Sequence, residues 1–331
     1  MHDVLSLAEA LITQPSITGA EFPAVELAAA WLRERDWTVT LQQLSPTRAN
    51  IWASHGLGSV TLSTHLDTVP PYIPPGRSGN RLTGRGACDA KGIAAAMMVA
   101  AQTLADEGEK RVDLLLLVGE EKSSDGARAA NLLPATSRFL INGEPTEGRL
   151  ASGAKGSMLV TVRTRGRAAH SAYPELGDSA LTPMLALLAT LDDLDLPEDP
   201  RLGRTTINVG TLLAGREANI VPDAAVAQLM VRLVGDPAYV REILERWAYG
   251  RAELELAPHI PAMHFHTLAG FESGPVSYTS DIPLLDRWGT PLLFGPGSIH
   301  VAHTPHEFID IDELRAAVGS YVRLVRTLLA S

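Results

Sequence analysis

Hydrophobic and polar residues alternate along the first 150 positions in the way typical of helices and strands that follow one another. An apolar stretch over 24–32, directly after Pro23, predicts a helix, and so do the alanine-rich residues 90–104 and the shorter segment 125–133. Residues 114–118 form a continuous apolar run of strand length, and strands are also predicted at 60–64 and 138–141. Strands that alternate with helices predict a largely parallel sheet with helices on its faces.

The pattern changes near Ser152. The next elements are predicted in the order strand, helix, strand, strand, helix, strand, at 158–165, 180–191, 205–213, 224–233, 237–249 and 252–257. That order is typical of a ferredoxin-like α+β module. A strand at 291–294 and a closing helix follow. The apolar face of that helix is Ile311, Leu314, Val318, Val322, Val325 and Leu329.

The sequence therefore predicts an α/β fold with two domains. A larger α/β domain with a mostly parallel sheet is formed by 1–154 and 262–331. A ferredoxin-like α+β domain is inserted over 155–261. We find no internal repeat and no low-complexity linker between these segments.

The composition is that of a globular protein, because 45% of the 331 residues are apolar and 20% are charged, which excludes wholesale disorder. The 28 lysines and arginines against 38 acidic residues give a formal net charge of −10, which argues against nucleic acid or an anionic membrane as a partner. No apolar run reaches the ~18 residues of a membrane span, and the N-terminus lacks the features of a secretory signal. We therefore expect a soluble cytoplasmic protein.

The single cysteine, Cys88, excludes an internal disulfide and a multi-thiolate metal site. No cysteine–histidine signature accompanies it, so we interpret it as a small buried apolar side chain. A metal in this protein would have to be held mainly by carboxylates and imidazoles, and ten histidines make that possible.

Histidines and acidic residues follow the predicted strand ends. His65 and Asp67 lie two apart after the first strand, so on an extended backbone they point the same way, and the carboxylate could accept the second N–H of a metal-bound imidazole. A turn with an ordinary hydrogen bond explains the same pair. Asp89 lies in a glycine-rich loop before a predicted helix, either as the N-cap or as a carboxylate that a ligand approaches closely.

Two adjacent glutamates, Glu120 and Glu121, follow the strand at 114–118, and Glu144 follows the next strand. Two glutamates that are simply exposed to solvent at the end of a strand would give the same pattern. Alternatively, one glutamate ligates a metal while its neighbour acts as general base on metal-bound water.

The loop after 291–294 contains three histidines that could serve as ligands: His300, His303 and His306. The strand ends at 64, 118, 141 and 294 are thus each followed by His, Asp or Glu. Two histidines and three carboxylates gathered at one sheet edge would suit a pair of zinc ions that share a bridging carboxylate.

At these residues the sequence resembles, over nearly its whole length, the co-catalytic dizinc deacylases and exopeptidases. That family includes acetylornithine deacetylase, succinyl-diaminopimelate desuccinylase, acetylcitrulline and acetyl-lysine deacetylases, aminoacylases and glutamate carboxypeptidase. The resemblance implies two Zn²⁺ ions, for which Co²⁺ can substitute. The implied ligands are His65 and Glu144 for one ion, Glu121 and His303 for the other, and Asp89 as the bridge. His303 is preferred over its neighbours because the family ligand directly precedes Thr-Pro-x-Glu.

The same resemblance implies catalytic roles. Glu120 would be the general base for a zinc-bridging water that attacks the amide carbonyl, and Asp67 would orient His65. The domain 155–261 would be a lid and dimerisation domain beside a dizinc catalytic domain. A family histidine that resembles His170 can reach the neighbouring subunit's active site and stabilise the oxyanion.

Substrate-binding residues are also implied. Arg232 resembles a family arginine near the substrate, although a surface or strand-pairing charge explains it equally, and Asn219 matches a family asparagine. Glu272 could pair with a basic substrate tail or be a solvated loop residue. Met230 departs from the family, in which an acidic residue is common at that position.

The implied activity is removal of the acyl group from an N-acyl amino acid by a homodimeric enzyme similar to acetylornithine deacetylase of arginine biosynthesis. Alternatives are an N-acetylcitrulline or N-acetyl-lysine deacetylase, a hydrolase that frees lysine or ornithine from a carrier protein, a succinyl-diaminopimelate desuccinylase, and a zinc dipeptidase or carboxypeptidase. A non-enzymatic relative that keeps only the fold would lack a ligand or the base, and neither is missing here.

Overall fold

A computed structural model describes residues 3–56 and 58–331 of the chain. His2, which matches no ligand motif and is interpreted as an ordinary histidine, lies outside the described residues. The chain divides into two compact units. The first comprises the chain up to Ser152 with Phe265–Gly274 and Ser280–Ser331, and the second comprises Gly153–His264 with Pro275–Thr279.

The chain begins with the elements α1 Val4–Thr13, α2 Phe22–Arg33, β1 Thr38–Ser45, β2 Arg48–Ser54, β3 Val60–His65, β4 Gly76–Ser78, β5 Arg81–Thr83, α3 Lys91–Asp106, β6 Val112–Leu117, α4 Asp125–Ala130 and β7 Phe139–Asn142. It continues through β8 Leu150–Ala154, β9 Gly156–Arg165, α5 Leu181–Leu188, β10 Glu198–Asp199, β11 Gly203–Arg204, β12 Thr206–Ala214, β13 Ala224–Leu233, α6 Pro237–Ala248, β14 Glu253–Leu256, β15 Met263–His264 and β16 Ser273–Val276. The last elements are β17 Thr290–Leu293, β18 Phe308–Asp310 and α7 Ile311–Ala330. Short 3₁₀ turns lie at Pro174–Leu176, Leu191–Asp193 and Ile282–Leu284.

The main sheet of the first unit has six strands in the order β1-β2-β6-β3-β7-β17. The four strands from β6 to β17 are parallel, whereas β1 and β2 form an antiparallel hairpin at one edge. β3 and β6 are buried along their whole length, as expected for parallel strands covered on both faces. The predicted α/β fold with a mostly parallel sheet is confirmed, and the antiparallel hairpin is an addition to it.

Helices cover this sheet. α3 packs against β3, β6, α1 and α7, and its alanine and methionine side chains are buried nearly all round. The buried face of α7 is wider than the sequence predicts, because Ala317, Tyr321, Leu324 and Leu328 are buried while Val318 is only partly covered. Within residues 3–56 and 58–331, no helix combines the length and the apolar character that a membrane crossing needs.

The second unit contains a four-stranded antiparallel sheet in the order β12-β13-β9-β14. The helices α5 and α6 pack against this sheet and share its apolar core. The element order and this strand order are those of a ferredoxin-like module, which confirms the predicted fold class. β12 lies at an edge and is exposed along almost its whole length.

Candidate metal centre and active site

The carboxyl ends of β3, β6, β7 and β17 lie along one edge of the main sheet because these strands are parallel. His65 is the last residue of β3, and Glu120 and Glu121 follow β6 after a short turn. Glu144 follows β7, and His303 lies in the loop between β17 and β18. The fold thus brings side chains that are far apart in sequence to one place.

Three of these side chains form a compact cluster with Asp89, which lies in the loop before α3. Ligand atoms of His65, Asp89 and Glu121 lie within 4.8 Å of one another. The two carboxylate oxygens of Asp89 face different rings, with His65 Nε2 3.1 Å from Oδ1 and His303 Nε2 3.4 Å from Oδ2. His303 Nε2 is also 3.0 Å from Oε1 of Glu121. Asp89 therefore occupies the position that a bridging ligand would need.

The ring of His65 is oriented by Asp67. Nδ1 of His65 lies 2.9 Å from the backbone carbonyl oxygen of Asp67 and 3.5 Å from its carboxylate oxygen Oδ1. The nearer partner is thus the carbonyl, rather than the carboxylate that sequence spacing suggests. Since a carbonyl only accepts, Nδ1 carries the proton and Nε2 keeps its lone pair for a metal.

The carboxylate of Asp67 holds the two adjacent glutamates instead. Oδ1 accepts the backbone N–H of Glu120 at 3.1 Å, and Oδ2 accepts the N–H of Glu121 at 3.2 Å and the hydroxyl of Thr18 at 2.8 Å. Burial would raise the pKa of Asp67, but His65 and these donors stabilise the ionised form and keep the pKa below its usual value. One buried carboxylate thus fixes the backbone of both glutamates.

Asp89 does not cap the helix that follows it. α3 begins at Lys91 with Ala90 in the cap position, and no side chain makes a capping hydrogen bond there. The N-cap interpretation of Asp89 is therefore wrong, and its carboxylate faces the two histidines.

Glu307 holds the loop that carries Asp89. Its Oε1 accepts the backbone N–H groups of Gly86, Cys88 and Asp89 at 2.9, 3.1 and 3.1 Å. Its Oε2 accepts Nη1 of Arg85 at 2.7 Å, and both side chains of this ion pair are buried. Glu307 therefore connects the loop that contains His303 with the loop that contains Asp89.

We expect Glu307→Gln to lower the free energy of unfolding by about 3 kcal/mol, at the low end for a broken buried ion pair. The buried guanidinium of Arg85 loses its counter-charge, but the carbonyls of Pro71 and Thr304 still accept from it. Urea denaturation measures the change. Glu242→Gln, in an exposed ion pair, is the control and should leave the unfolding curve nearly unchanged; equal curves for the two variants would contradict the anchoring role.

Three further carboxylates lie at the site, of which Glu144 and Asp281 are buried and Glu120 is partly buried. Oε1 of Glu144 and Oδ1 of Asp281 have no hydrogen-bond partner among the described residues. Burial raises the pKa values of Glu120 and Glu144 well above their usual range, and it raises the pKa of Asp281 to about 6. Clustered buried carboxylates are costly without positive charge, so this donor set fits bound metal cations.

Of the three histidines in the loop after β17, His303 is the one placed against Asp89 and Glu121. Hydrogen bonds to these two carboxylates raise its pKa to about 10. Its φ of +62° lies in the left-handed region, which is uncommon for a residue other than glycine and is concentrated at functional sites. His300 and His306 are exposed.

The remaining predicted site residues lie in the second unit. His170 and Asn219 are neighbours there, because the N–H of Ser171 donates to the Asn219 carbonyl oxygen at 2.9 Å. Arg232 lies on β13, where it pairs in register with Thr206 and Ser157. Its guanidinium is half-buried, and burial lowers its pKa.

Cys88 is buried, and burial raises the pKa of its thiol well above the usual value. This placement agrees with a structural cysteine and not with a nucleophile. Glu307, Thr18 and Asp281 are site residues that sequence reasoning missed. Of these three, only Glu307 lies in a motif that could have indicated its role, because it is the last residue of the Thr-Pro-x-Glu sequence after His303.

The chain is similar to known proteins over most of its length. Residues 61–327 match the family described as Peptidase family M20/M25/M40. A peptidase M20 domain-containing protein of Schizosaccharomyces pombe is 36% identical over 338 residues, which cover 98% of this chain and 84% of that protein. A probable carboxypeptidase of Aspergillus flavus is 35% identical, with 98% and 87% covered. A crystal structure of a tripeptidase from Staphylococcus aureus superposes with a TM-score of 0.81 at 19% identity, with 99% and 98% covered.

The structural likeness at that low identity supports the fold alone. The family match spans most of the chain, and the fungal relatives align with almost all of it. The cluster of imidazole and carboxylate ligands is consistent with a metal-dependent member. The chain therefore belongs to peptidase family M20/M25/M40 and is a metallopeptidase-like hydrolase that acts on amide bonds.

Proposed function

We propose that the protein is a zinc-dependent exopeptidase that hydrolyses the amide bond to a carboxyl-terminal amino acid of a small peptide. The observation that carries this proposal is the cluster of His65, Asp89 and Glu121, with a second carboxylate adjacent at Glu120. The choice of a peptide substrate is supported by the fungal relatives that are named probable carboxypeptidases.

The side chains present could hold two ions. One ion would be held by His65, Asp89 and Glu144, and the other by Asp89, Glu121 and His303. The partnerless oxygen of Glu144 supports this assignment, because a buried ionised carboxylate needs a cation or a donor. Imidazole and carboxylate ligands suit zinc, and cobalt could take the same positions. When bound, the ions would polarise the scissile carbonyl as Lewis acids and favour the ionisation of water.

Glu120 is the proposed general base. Its backbone is fixed by Asp67, so its side chain starts from a defined point beside the ligand Glu121. Its carboxylate takes a proton from water as the new C–O bond forms at the carbonyl carbon. It then returns that proton to the amide nitrogen as the C–N bond breaks, so a carboxylic acid and a free amine leave.

His170 is the proposed oxyanion donor. Its Nδ1 accepts the N–H of Ala172 at 3.1 Å, so the neutral ring carries its proton on Nε2. We place this Nε2–H at the active site of the second copy in a homodimer. The exposed edge strand β12, with Val209 and Leu213 exposed on it, supports pairing between two copies.

His170→Ala should lower kcat by about 10²–10³-fold with little change in KM, as expected for the loss of one oxyanion donor. Mixing this variant with Glu120→Gln tests whether the histidine acts on the other copy. Random subunit exchange would give about a quarter of wild-type activity, since half of the dimers then contain one intact site. Sedimentation must show dimers, and no recovery after proven exchange would contradict action in trans.

Arg232 and Asn219 are proposed to bind the substrate's α-carboxylate. Arginine binds carboxylates through paired N–H donors, and the guanidinium of Arg232 forms no ion pair with the acidic residues of the described chain. N-acyl amino acids also contain a linear amide beside a free α-carboxylate. Deacetylation of N-acetylornithine is therefore a second candidate, which the ligand motifs fit equally. Glu272, the suggested partner of a basic tail, is exposed.

A substrate panel separates these candidates. It contains an N-blocked dipeptide, the same dipeptide with an amidated C-terminus, and the acyl derivatives of ornithine, citrulline, lysine and diaminopimelate, all with added Zn²⁺ or Co²⁺. We expect the highest kcat/KM for the blocked dipeptide. The value for its amide should be about 10–100-fold lower, because the amide lacks the negative charge of the α-carboxylate. The highest value for N-acetylornithine would assign the deacetylase branch instead. Hydrolysis of none of these amides would contradict both candidates.

A further inference from the structure

The strand β2 holds the segment that contains Glu120 and Glu121. We call this segment, residues 118–126, the base loop. It begins one residue after β6 ends, and it runs into the first turn of α4. Two side chains on one face of β2, Arg48 and Asn50, make hydrogen bonds to it.

Arg48 binds the base loop through Asp125. Its Nη1 and Nη2 donate to the two carboxylate oxygens of Asp125 at 2.5 and 2.8 Å, in the bidentate arrangement that fixes both distance and orientation. Its Nε donates to the buried carboxylate of Glu21 at 3.1 and 3.2 Å. The side chain of Arg48 is only 15% exposed, whereas that of Asp125 is 42% exposed, so the guanidinium is the shielded partner of this pair.

Asn50 joins the two ends of the base loop. Its Oδ1 accepts the N–H of Val118 at 3.2 Å, and its Nδ2 donates to the carbonyl oxygen of Gly126 at 2.8 Å. The two ends of the base loop are therefore bound to one fully buried amide. The loop cannot widen without breaking one of these hydrogen bonds.

The Arg48–Asp125 pair packs against the residue directly before Glu120. Gly119 has a φ of +85°, and a Cβ placed there would lie 2.2 Å from Oδ1 of Asp125 and 2.4 Å from Nη2 of Arg48. The carbonyl oxygen of Gly119 accepts the N–H of Ser123 at 3.0 Å. The ion pair therefore sets the backbone from which the Glu120 side chain extends.

We propose that Arg48 is a positioning residue, which acts through Asp125 on the direction of Glu120 and Glu121. Arg48 touches neither glutamate side chain, so it is not a catalytic residue. Asp67 fixes the backbone N–H groups of these glutamates, and the Arg48–Asp125 pair fixes the far part of the same loop. This inference rests on the proposed roles of Glu120 as base and Glu121 as ligand.

The test compares Arg48→Met, Arg48→Lys and Asp125→Asn with a matched control. Arg77→Met is that control, because Arg77 also lies on a strand of the first unit and makes two hydrogen bonds to one carboxylate, that of Glu9. For each variant, kcat and KM are measured on the best panel substrate. The affinity of the metal-free protein for Co²⁺ is measured by calorimetry.

We expect Arg48→Met and Asp125→Asn to lower kcat about 10–100-fold and to weaken Co²⁺ binding about tenfold, with KM changed much less. Arg48→Lys keeps the positive charge but loses the paired N–H donors of the guanidinium, so its kcat and Co²⁺ affinity should lie between those of these variants and those of the wild type. The double variant Arg48→Met/Asp125→Asn should be no worse than the poorer single variant, since both changes break one pair. Arg77→Met should resemble wild type.

The outcomes separate this inference from the proposed function. If the wild type hydrolyses the panel while all three variants match Arg77→Met in kcat and Co²⁺ affinity, the positioning role is overturned and the function stands. If the wild type hydrolyses nothing but Arg48→Met still weakens Co²⁺ binding, the function fails and the positioning role stands. If the losses of kcat in the two single variants were additive in the double variant, Arg48 would not act through Asp125. If Arg48→Met does not fold by circular dichroism, Arg48→Lys and Asp125→Asn decide by the same criteria.

Discussion

Glu120→Gln is expected to lower kcat by about 10²–10⁴-fold while the protein keeps its full content of bound metal. Glutamine has the same shape but cannot accept the proton of the attacking water. The backbone N–H that Asp67 binds is unchanged, so the neighbouring Glu121, the proposed metal ligand, stays in place. Turnover of the best panel substrate and metal analysis of the same sample measure the two effects.

Glu26→Gln provides the control for that experiment, because Glu26 is an exposed glutamate on α2. It should match the wild type in both turnover and metal content. Normal turnover by Glu120→Gln would show that the base is a different group. Loss of metal together with turnover would instead make Glu120 a ligand.

Asp89→Asn is expected to abolish binding of the metal pair. The oxygens of Asp89 face His65 at 3.1 Å and His303 at 3.4 Å, and asparagine would replace one of them by an amide nitrogen that cannot bind a cation. Changes in groups that only support a metal ligand lower activity by about 10–100-fold. Loss of the proposed bridging carboxylate should lower kcat by more than that. Metal analysis after dialysis and kcat at saturating substrate measure the result.

Asp312→Asn, at an exposed position on α7, is the matched control for Asp89→Asn. It should keep both the metal and the activity. If Asp89→Asn bound as much zinc as this control and turned over at the same rate, Asp89 would have no bridging role.

The sequence predicts the central fold well because its strands are unambiguous. Residues 114–118 form a continuous apolar run, residues 60–64 combine apolar with β-branched side chains, and β13 occurs at the predicted residues. The hairpin of β1 and β2 was not predicted, because β1 is half-exposed and contains glutamines that give no strong pattern. The buried face of α7 is wider than the sequence predicts, since neighbours on both sides of the helix decide which residues are covered.

Most of the candidate ligands could be proposed from the sequence because they lie in segments that follow strands of the parallel sheet. Asp89 is different, because it lies in a glycine-rich loop before α3. The residues that support the ligands could not be proposed, because those contacts join segments distant in sequence. Glu307 binds the loop around Asp89 from more than 200 positions away, and Arg48 binds Asp125 across 77 positions. Spacing alone also suggested the carboxylate of Asp67 as the partner of His65, whereas the carbonyl lies closer.

Zinc titration of the metal-free protein, followed by calorimetry and by turnover of the best panel substrate, tests the central claim most directly. We expect two ions to bind per chain. Activity should be absent without metal and should appear as these ions bind. Failure to bind zinc, or turnover that continues after complete metal removal, would contradict a metal-dependent hydrolase with its centre at Asp89.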